Sequence, residues 1–348
     1  MSKVAKRGIL IVGILVAATV GIVLLEGPGF LLTWKYFSLL GAGVVAFLSQ
    51  GILAPVEPTE KSREYPTEEL KAMDRETRDL EAGELEAALE VFKQTNRPYL
   101  KLMPSRRPTG VFDCKFGGVP YLPPGFEYPH TADDTDRKTP LKLLCQLNFA
   151  KLPQLPGFPT GGILQFYIAY TADDDVFGAD FDNPTRQDRW RVVYHRELIA
   201  DESVLQSPPE LTDEDGVFPF EGEFALEAEE GSMPISPNDY GWEDFMENVF
   251  EPSAIGWQLK GKYTEDEIDT ALEERVHEPG HRIGGYPFFT QSDPRHYEKY
   301  CGYSVLLLQI DTDTDIMWGD AGVANFFITP EALRRGDFTD VLYNWDCF

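Results

Sequence analysis

The chain has 348 residues, 43% of them hydrophobic, and a formal net charge of −27. That length holds one large domain or two ordinary ones, and 23 Phe with 15 Tyr supply ample material for a core. So acidic a chain excludes non-specific nucleic-acid binding and is repelled by an anionic lipid surface, whereas a basic protein partner is attracted.

The charge is unevenly placed. Lys3, Lys6, Arg7 and Lys35 face Glu26 alone in the first 56 residues, so the acidic excess belongs to residues 57–348. Residues 8–25 (GILIVGILVAATVGIVLL) carry no charge, and residues 36–55 (YFSLLGAGVVAFLSQGILAP) form a second, weaker apolar stretch. Each has the length of a bilayer-spanning helix, and Glu26-Gly27-Pro28-Gly29 makes a turn between them. The pattern predicts a two-helix transmembrane hairpin over residues 1–56. Lys3, Lys6 and Arg7 hold the N-terminus in the cytoplasm, and a hairpin returns the body to the same side. The expected location is the cytoplasmic (inner) membrane of a bacterium, with two spans and a soluble domain facing the cytoplasm. A cleaved signal peptide is the rival reading, but the first stretch ends TVGIVLLEGPG without an A-x-A-like site.

Residues 57–97 read as a polar linker (EPTEKSREYP) followed by a helical segment, on which Leu70, Met73, Leu80, Leu85, Leu89 and Phe92 space an apolar face. The body, 98–348, then says the same thing twice. CKFGGVPYLP, LLCQLN and GILQFYI occur in that order within 114–168, and HRIGGYPFFT, LLLQID and GVANFFI within 281–328. Gln146 aligns with Gln309, Phe166 with Phe326 and Asn148 with Asp311, which predicts an internal duplication with repeats of about 110–170 and 280–330. LKLLCQLNF, GILQFYIAY and RWRVVYHREL read as strands. Between Asp173 and Gly280 the chain turns acidic and Pro-rich; within it residues 264–276 read as a helix opened by a Thr264–Glu267 capping box. Thr329-Pro330-Glu331 starts another short helix. Strands outnumber helices without βα alternation, so the fold class is α+β: an internally duplicated, largely antiparallel β-sheet body with flanking helices. One continuous sheet and two lobes both satisfy the pattern. Cys114, Cys145, Cys301 and Cys347 lie far apart with no CxxC, which suits a reducing compartment.

Four features are candidates for chemistry. His277-Glu278-Pro279-Gly280-His281 spells HExxH, but Pro279 and Gly280 oppose the helix that would put both imidazoles on one face. Asp311, Asp313 and Asp315 resemble the start of a calcium loop whose sixth and twelfth positions hold Ile316 and Gly322 instead of Gly and Glu. Gln146 and Gln309 each interrupt an apolar run, so each amide is either a satisfied internal clamp or part of a cleft. Trp318-Gly319-Asp320-Ala321-Gly322 is either a closed turn or a ligand-facing wall. With no GxSxG, Walker or GxGxxG motif, no catalytic residue, metal ligand or cofactor is assigned.

The blocks KFGGVPYLP, LPGFPTGGILQFYI, GGYPFFTQSDPR, LLLQIDTD, MWGDAGVANFFI and DFTDVLYNWDC resemble the YwqG-like family of bacterial proteins, from roughly Pro98 onward. The resemblance implies a duplicated, sheet-rich domain and brings no reaction or cofactor; the toxin-gene neighbourhood of some members implies an inhibitor or immunity role. The sequence therefore leads us to expect a non-enzymatic, membrane-anchored module that binds a basic protein partner. The alternative is a hydrolase or small-ligand-binding enzyme with its site between the repeats at Gln146, Gln309, Trp318 and Asp320.

Overall fold

A computed structural model describes residues 92–132, 138–170, 176–211, 216–249 and 279–348. The expected hairpin over 1–56, the linker and nearly all of the helical segment after it, the helix at 264–276 and the His277–Glu278 end of the HExxH run lie outside the described residues. Among the described residues no helix is long and apolar enough to cross a membrane.

Most strands form where apolar runs are bounded by turns. They are β1 (Arg97–Ser105), β2 (Lys115–Gly117), β3 (Lys142–Asn148), β4 (Ile163–Ile168), β5 (Trp190–His195), β6 (Glu223–Met233), β7 (Arg282–Gly284), β8 (Val305–Asp311), β9 (Val323–Ile328) and β10 (Val341–Asp346). They make one continuous sheet in the order β10-β9-β8-β7-β1-β6-β2-β3-β4-β5, with every pairing antiparallel. The described helices are few. Helix α1 (Trp242–Val249) packs Trp242 and Met246 with Phe92, Met233 and Tyr286. Helix α2 (Pro330–Arg335) is set by its ends: the Thr329 side chain accepts from Ala332 N, Pro330 takes the first turn, and Gly336 closes it at φ +68°.

β2–β5 and β7–β10 are meanders with the same pairing. Gln146 lies opposite Lys115 and Gln165, as Gln309 lies opposite Arg282 and Asn325; a bulge falls between Leu143 and Cys145 in one and between Leu306 and Leu308 in the other. β1 and β6 pair with each other at the centre of the sheet, and each pairs on its other side with the meander that follows its partner: β1 with β7, β6 with β2. The two halves interlock, so neither is a separate lobe.

The inner face of the sheet curls around one core. Phe166 on β4 meets Phe326 on β9 at 4.9 Å, Trp190 on β5 meets Tyr343 on β10 at 5.5 Å, and Phe326 stacks on Tyr343 at 4.4 Å. The sheet is thereby nearly closed, with β5 and β10 as its two edges. A strap from Asn183 to Asp188 lies at the seam: Pro184 O accepts from Tyr343 N at 2.8 Å. Gln187 Oε1 accepts from Val192 N at 3.0 Å while its Nε2 donates to the carbonyls of Phe338 and Thr339.

Gly117 and Gly125 both have left-handed backbone, at φ +63° and +76°. A Cβ on Gly117 would lie 2.5 Å from Gly222 O, whereas one on Gly125 meets nothing within 4 Å. Denaturant unfolding should show Gly125→Ala losing about 1–2 kcal/mol for its backbone alone. Gly117→Ala should lose roughly 1–3 kcal/mol more, because the clash is with backbone. Equal losses would show that the β2 turn tolerates a shift away from the start of β6.

Candidate functional site

The outer face of each meander is covered by its own loop, and buried amides fasten the loop down. Gln146 Oε1 accepts from Tyr121 N at 2.8 Å, and Gln165 Nε2 donates to Tyr121 O and to Gln146 Oε1, each at 2.8 Å. In the other half Gln309 Oε1 accepts from Phe288 N and Asn325 Nδ2 donates to Phe288 O, again at 2.8 Å. The peptide just after each GG-P turn is held at its N–H and its C=O, as a neighbouring strand would hold it. Gln146 Nε2 also donates to Val111 O and Asp113 O, and Gln309 Nε2 to Gly280 O. Both glutamines are fully buried, and these bonds satisfy them internally. Beside them, the fully buried Lys115 donates to the carbonyls of Gly110 and Val119, and burial lowers its pKa to about 8.

His195 and Asp346 stand at corresponding places, opposite Ile163 and Val323. Asp346 accepts from the N–H groups of Thr290 and Gln291. The matching loop of the first half reads Pro123-Pro124 and has no such N–H to offer. There His195 packs edge-on against Tyr121 and Phe126, and its Nε2–H donates to Gln165 Oε1 at 3.0 Å. Burial lowers the His195 pKa to about 4, so the ring stays neutral.

Trp318 lies in the core, edge-on to Phe177 at 5.0 Å, while Asp320 is exposed to solvent. The turn between them is closed by Gly322 N donating to Trp318 O at 2.7 Å, and the chain end returns over it, Phe348 N donating to Asp320 O. Gln146 and Gln309 belong to separate clamps and Trp318 to the core, so the structure does not gather the four sequence candidates into one site.

The acidic run at the end of β8 is held by backbone. Asp311 Oδ2 accepts from Gly280 N, and Asp313 Oδ1 from Asp315 N and Ile316 N. Arg106 donates to Asp315 from two nitrogens. His281 Nδ1 accepts from Asp311 N, which leaves its Nε2–H to Asp313 at 3.0 Å and holds the Asp313 carboxyl below its usual range. Both imidazole nitrogens are engaged, and among the described residues no group of three His, Cys, Asp or Glu could hold a metal. A further buried cluster, Asp239–Arg295–Asp293, has Arg295 between the rings of Tyr240 and Phe327 and pins two loops together.

Among the described residues an open concavity lies at the seam. A groove of ≈ 550 Å³ runs between the loop Phe126–Ala132, residues Arg191–Tyr194 of β5 and the Gly336–Thr339 link before β10. Tyr194 and Gly336 also line a second hollow, of ≈ 520 Å³, at Gly157–Gly161, Arg196 and Arg334. This volume is in the range of ligand sites. Arg191 donates through Nη2 to Gln187 O at 3.0 Å, and its buried Nε meets no acceptor among the described residues. Sequence reasoning missed this site because its walls come from distant stretches of chain; the signal it had was the blocks LPGFPTGG and DFTDVLYNWDC, parts of which supply them.

A family model described as a domain of unknown function (DUF1963) matches residues 114–347, from just before β2 to just past the end of β10. No curated protein matches the chain.

The clamps lead to two expected outcomes. Gln146→Leu strands Tyr121 N, the carbonyls of Val111 and Asp113, and the Gln165 amide; at roughly 1–3 kcal/mol per buried orphan it should lose about 3 kcal/mol or more in urea unfolding. A loss under about 0.5 kcal/mol, the size usual for surface positions, would show the amide to be dispensable to the fold. His195 is depressed from 6.5 to about 4, so below pH 6.5 the unfolded chain takes up a proton that the folded chain refuses until about pH 4. Stability should fall as pH drops through that window, and His195→Gln should show a shallower fall than the parent. Parallel pH profiles would show that the ring protonates in place.

Proposed function

The chain belongs to the family of this domain of unknown function, and from that premise we propose that it is a non-enzymatic binding module. In this reading the apolar hairpin at residues 8–55 holds it at the cytoplasmic face of a bacterial inner membrane, where the acidic body engages a basic protein partner. The observation that carries it is how the carboxylates divide. The buried ones, Asp239, Asp293, Asp311 and Asp346, hold backbone groups or Arg295. Many others face water: Glu227, Glu229 and Glu230 on β6, and Glu243, Asp244 and Glu247 on α1, are exposed. A net charge of −27 makes that surface a long-range attractor for cations. The resemblance to YwqG-like proteins supports the finer reading of a duplicated body that inhibits, or gives immunity against, a toxin. The matched clamps of the two meanders support the duplication.

The enzyme or small-ligand reading is favoured by the seam groove, whose volume suits a ligand. On that reading the site lies along β5, away from Gln146, Gln309, Trp318 and Asp320.

Gentle solubilisation of the full-length chain at low salt, affinity purification and mass spectrometry test the proposal. A stoichiometric basic partner that dissociates as rising salt shortens the screening length is the expected result. A chain that purifies alone even at low salt overturns it.

A further inference from the structure

We infer that the seam groove is a docking site for an extended, acidic segment of another protein, which adds as a strand to the free edge of β5. This goes beyond the reading above and does not require that partner to be basic overall.

The first ground is the edge itself. β5 is bonded to β4 on one side and ends the sheet on the other. Ala169 N donates to Arg189 O, so the alternation of an antiparallel ladder turns residues 191, 193 and 195 toward β4 and residues 190, 192 and 194 outward. Gln187 already demonstrates what this edge accepts: its amide takes the Val192 N–H on one side and donates to Phe338 and Thr339 carbonyls on the other, as one peptide unit would. One step along, the Tyr194 N–H meets no acceptor among the described residues.

The second ground is shape. The groove is walled by four consecutive residues of β5, Arg191–Tyr194, so it follows the backbone edge. The second hollow, which shares Tyr194 and Gly336 with it, lies beyond the end of the strand at Arg196. A trough of that kind suits an extended chain rising about 3.3 Å per residue, held by main-chain bonds with alternate side chains in pockets. Phe126 and Phe338 supply apolar wall for those side chains.

The third ground is charge. Among the described residues neither Arg191 nor Arg196 forms an ion pair, and each donates through Nη2 to a backbone carbonyl, of Gln187 and Arg335 respectively. The buried Arg191 Nε has no hydrogen-bond partner among the described residues. In a chain with 58 acidic and 31 basic residues, the walls of the two hollows reverse that balance, with Lys138, Arg191, Arg196 and Arg334 against Glu127 and Asp337. The planar fork of each guanidinium matches a carboxylate side chain.

The test titrates full-length protein in mild detergent into labelled peptides of about ten residues with alternating Glu/Val, Ser/Val or Lys/Val sequence, read by fluorescence anisotropy. The Glu/Val peptide should bind saturably, and Arg191→Ala, whose Nε is buried, should weaken it about tenfold or more, while the exposed Arg196→Ala should weaken it about threefold. Hydrogen exchange at the Tyr194 amide should slow when the peptide is bound. Arg196 is exposed, so its substitution keeps the test valid if Arg191→Ala fails to fold. No saturable binding of the Glu/Val peptide, binding unchanged by both substitutions, or an unprotected Tyr194 amide each overturns the inference. Lys/Val binding equal to or tighter than Glu/Val binding, and indifferent to both substitutions, overturns it too, because the acidic surface then governs recognition.

Discussion

The structure depends on a buried side-chain amide that takes the place of a neighbouring strand. Once Gln146 and Gln165, or Gln309 and Asn325, grip the peptide after a GG-P turn, the loop beyond that turn lies flat on the outer face of its meander. Small apolar clusters then form under each loop: Leu141, Leu143, Tyr167 and Ala169 with Tyr128 in one half, Leu306, Phe327, Leu342, Phe289 and Tyr300 in the other. Under these loops both faces of each meander become dry, which is why β4 and β9 are buried at every position rather than at alternate ones. Remove the amide and the outer layer loses the bond that positions it.

What each clamp needs is a donor or acceptor of the right reach, and the two halves meet that need with different chemistry. The N–H of Asn148 is accepted by Cys114 Sγ, and that of Asp311 by His281 Nδ1. Where the second half has backbone N–H groups to satisfy, Asp346 supplies a carboxylate; where prolines remove them, His195 fills the space and turns its proton toward Gln165. The two halves are more alike in their hydrogen bonds than in the residue types that make them.

That distinction explains which elements are legible in the residues alone. β3, β4, β5, β8 and β9 announce themselves as apolar runs between turns, the two glutamines stand out because each interrupts one, and Thr329-Pro330 marks the start of α2. β6 does not: EFALEAEEGSM is rich in Glu and Ala, and it is a strand because β1 and β2 pair with it from both sides. β1, with Pro98 and Pro104 near its ends, is equally mute. The Trp318 turn is legible as a special backbone, yet only the position of β10 and the chain end behind it decides that the ring is enclosed. The seam groove is the least legible feature, since an unpaired strand edge is a property of topology and leaves no residue pattern of its own.

The exchange of β1 and β6 has a consequence for assembly. The topology is that of a strand-swapped homodimer written into a single chain: each half lends its long strand to the other, and the connection between them replaces mutual affinity with a high effective concentration. A dimer of identical halves must carry the same two ends on both copies. Joined in one chain, the halves are released from that symmetry, and a single strap can take one N–H from each terminal strand, Tyr343 on β10 and Val192 on β5, while the next outward N–H of β5, at Tyr194, stays open among the described residues.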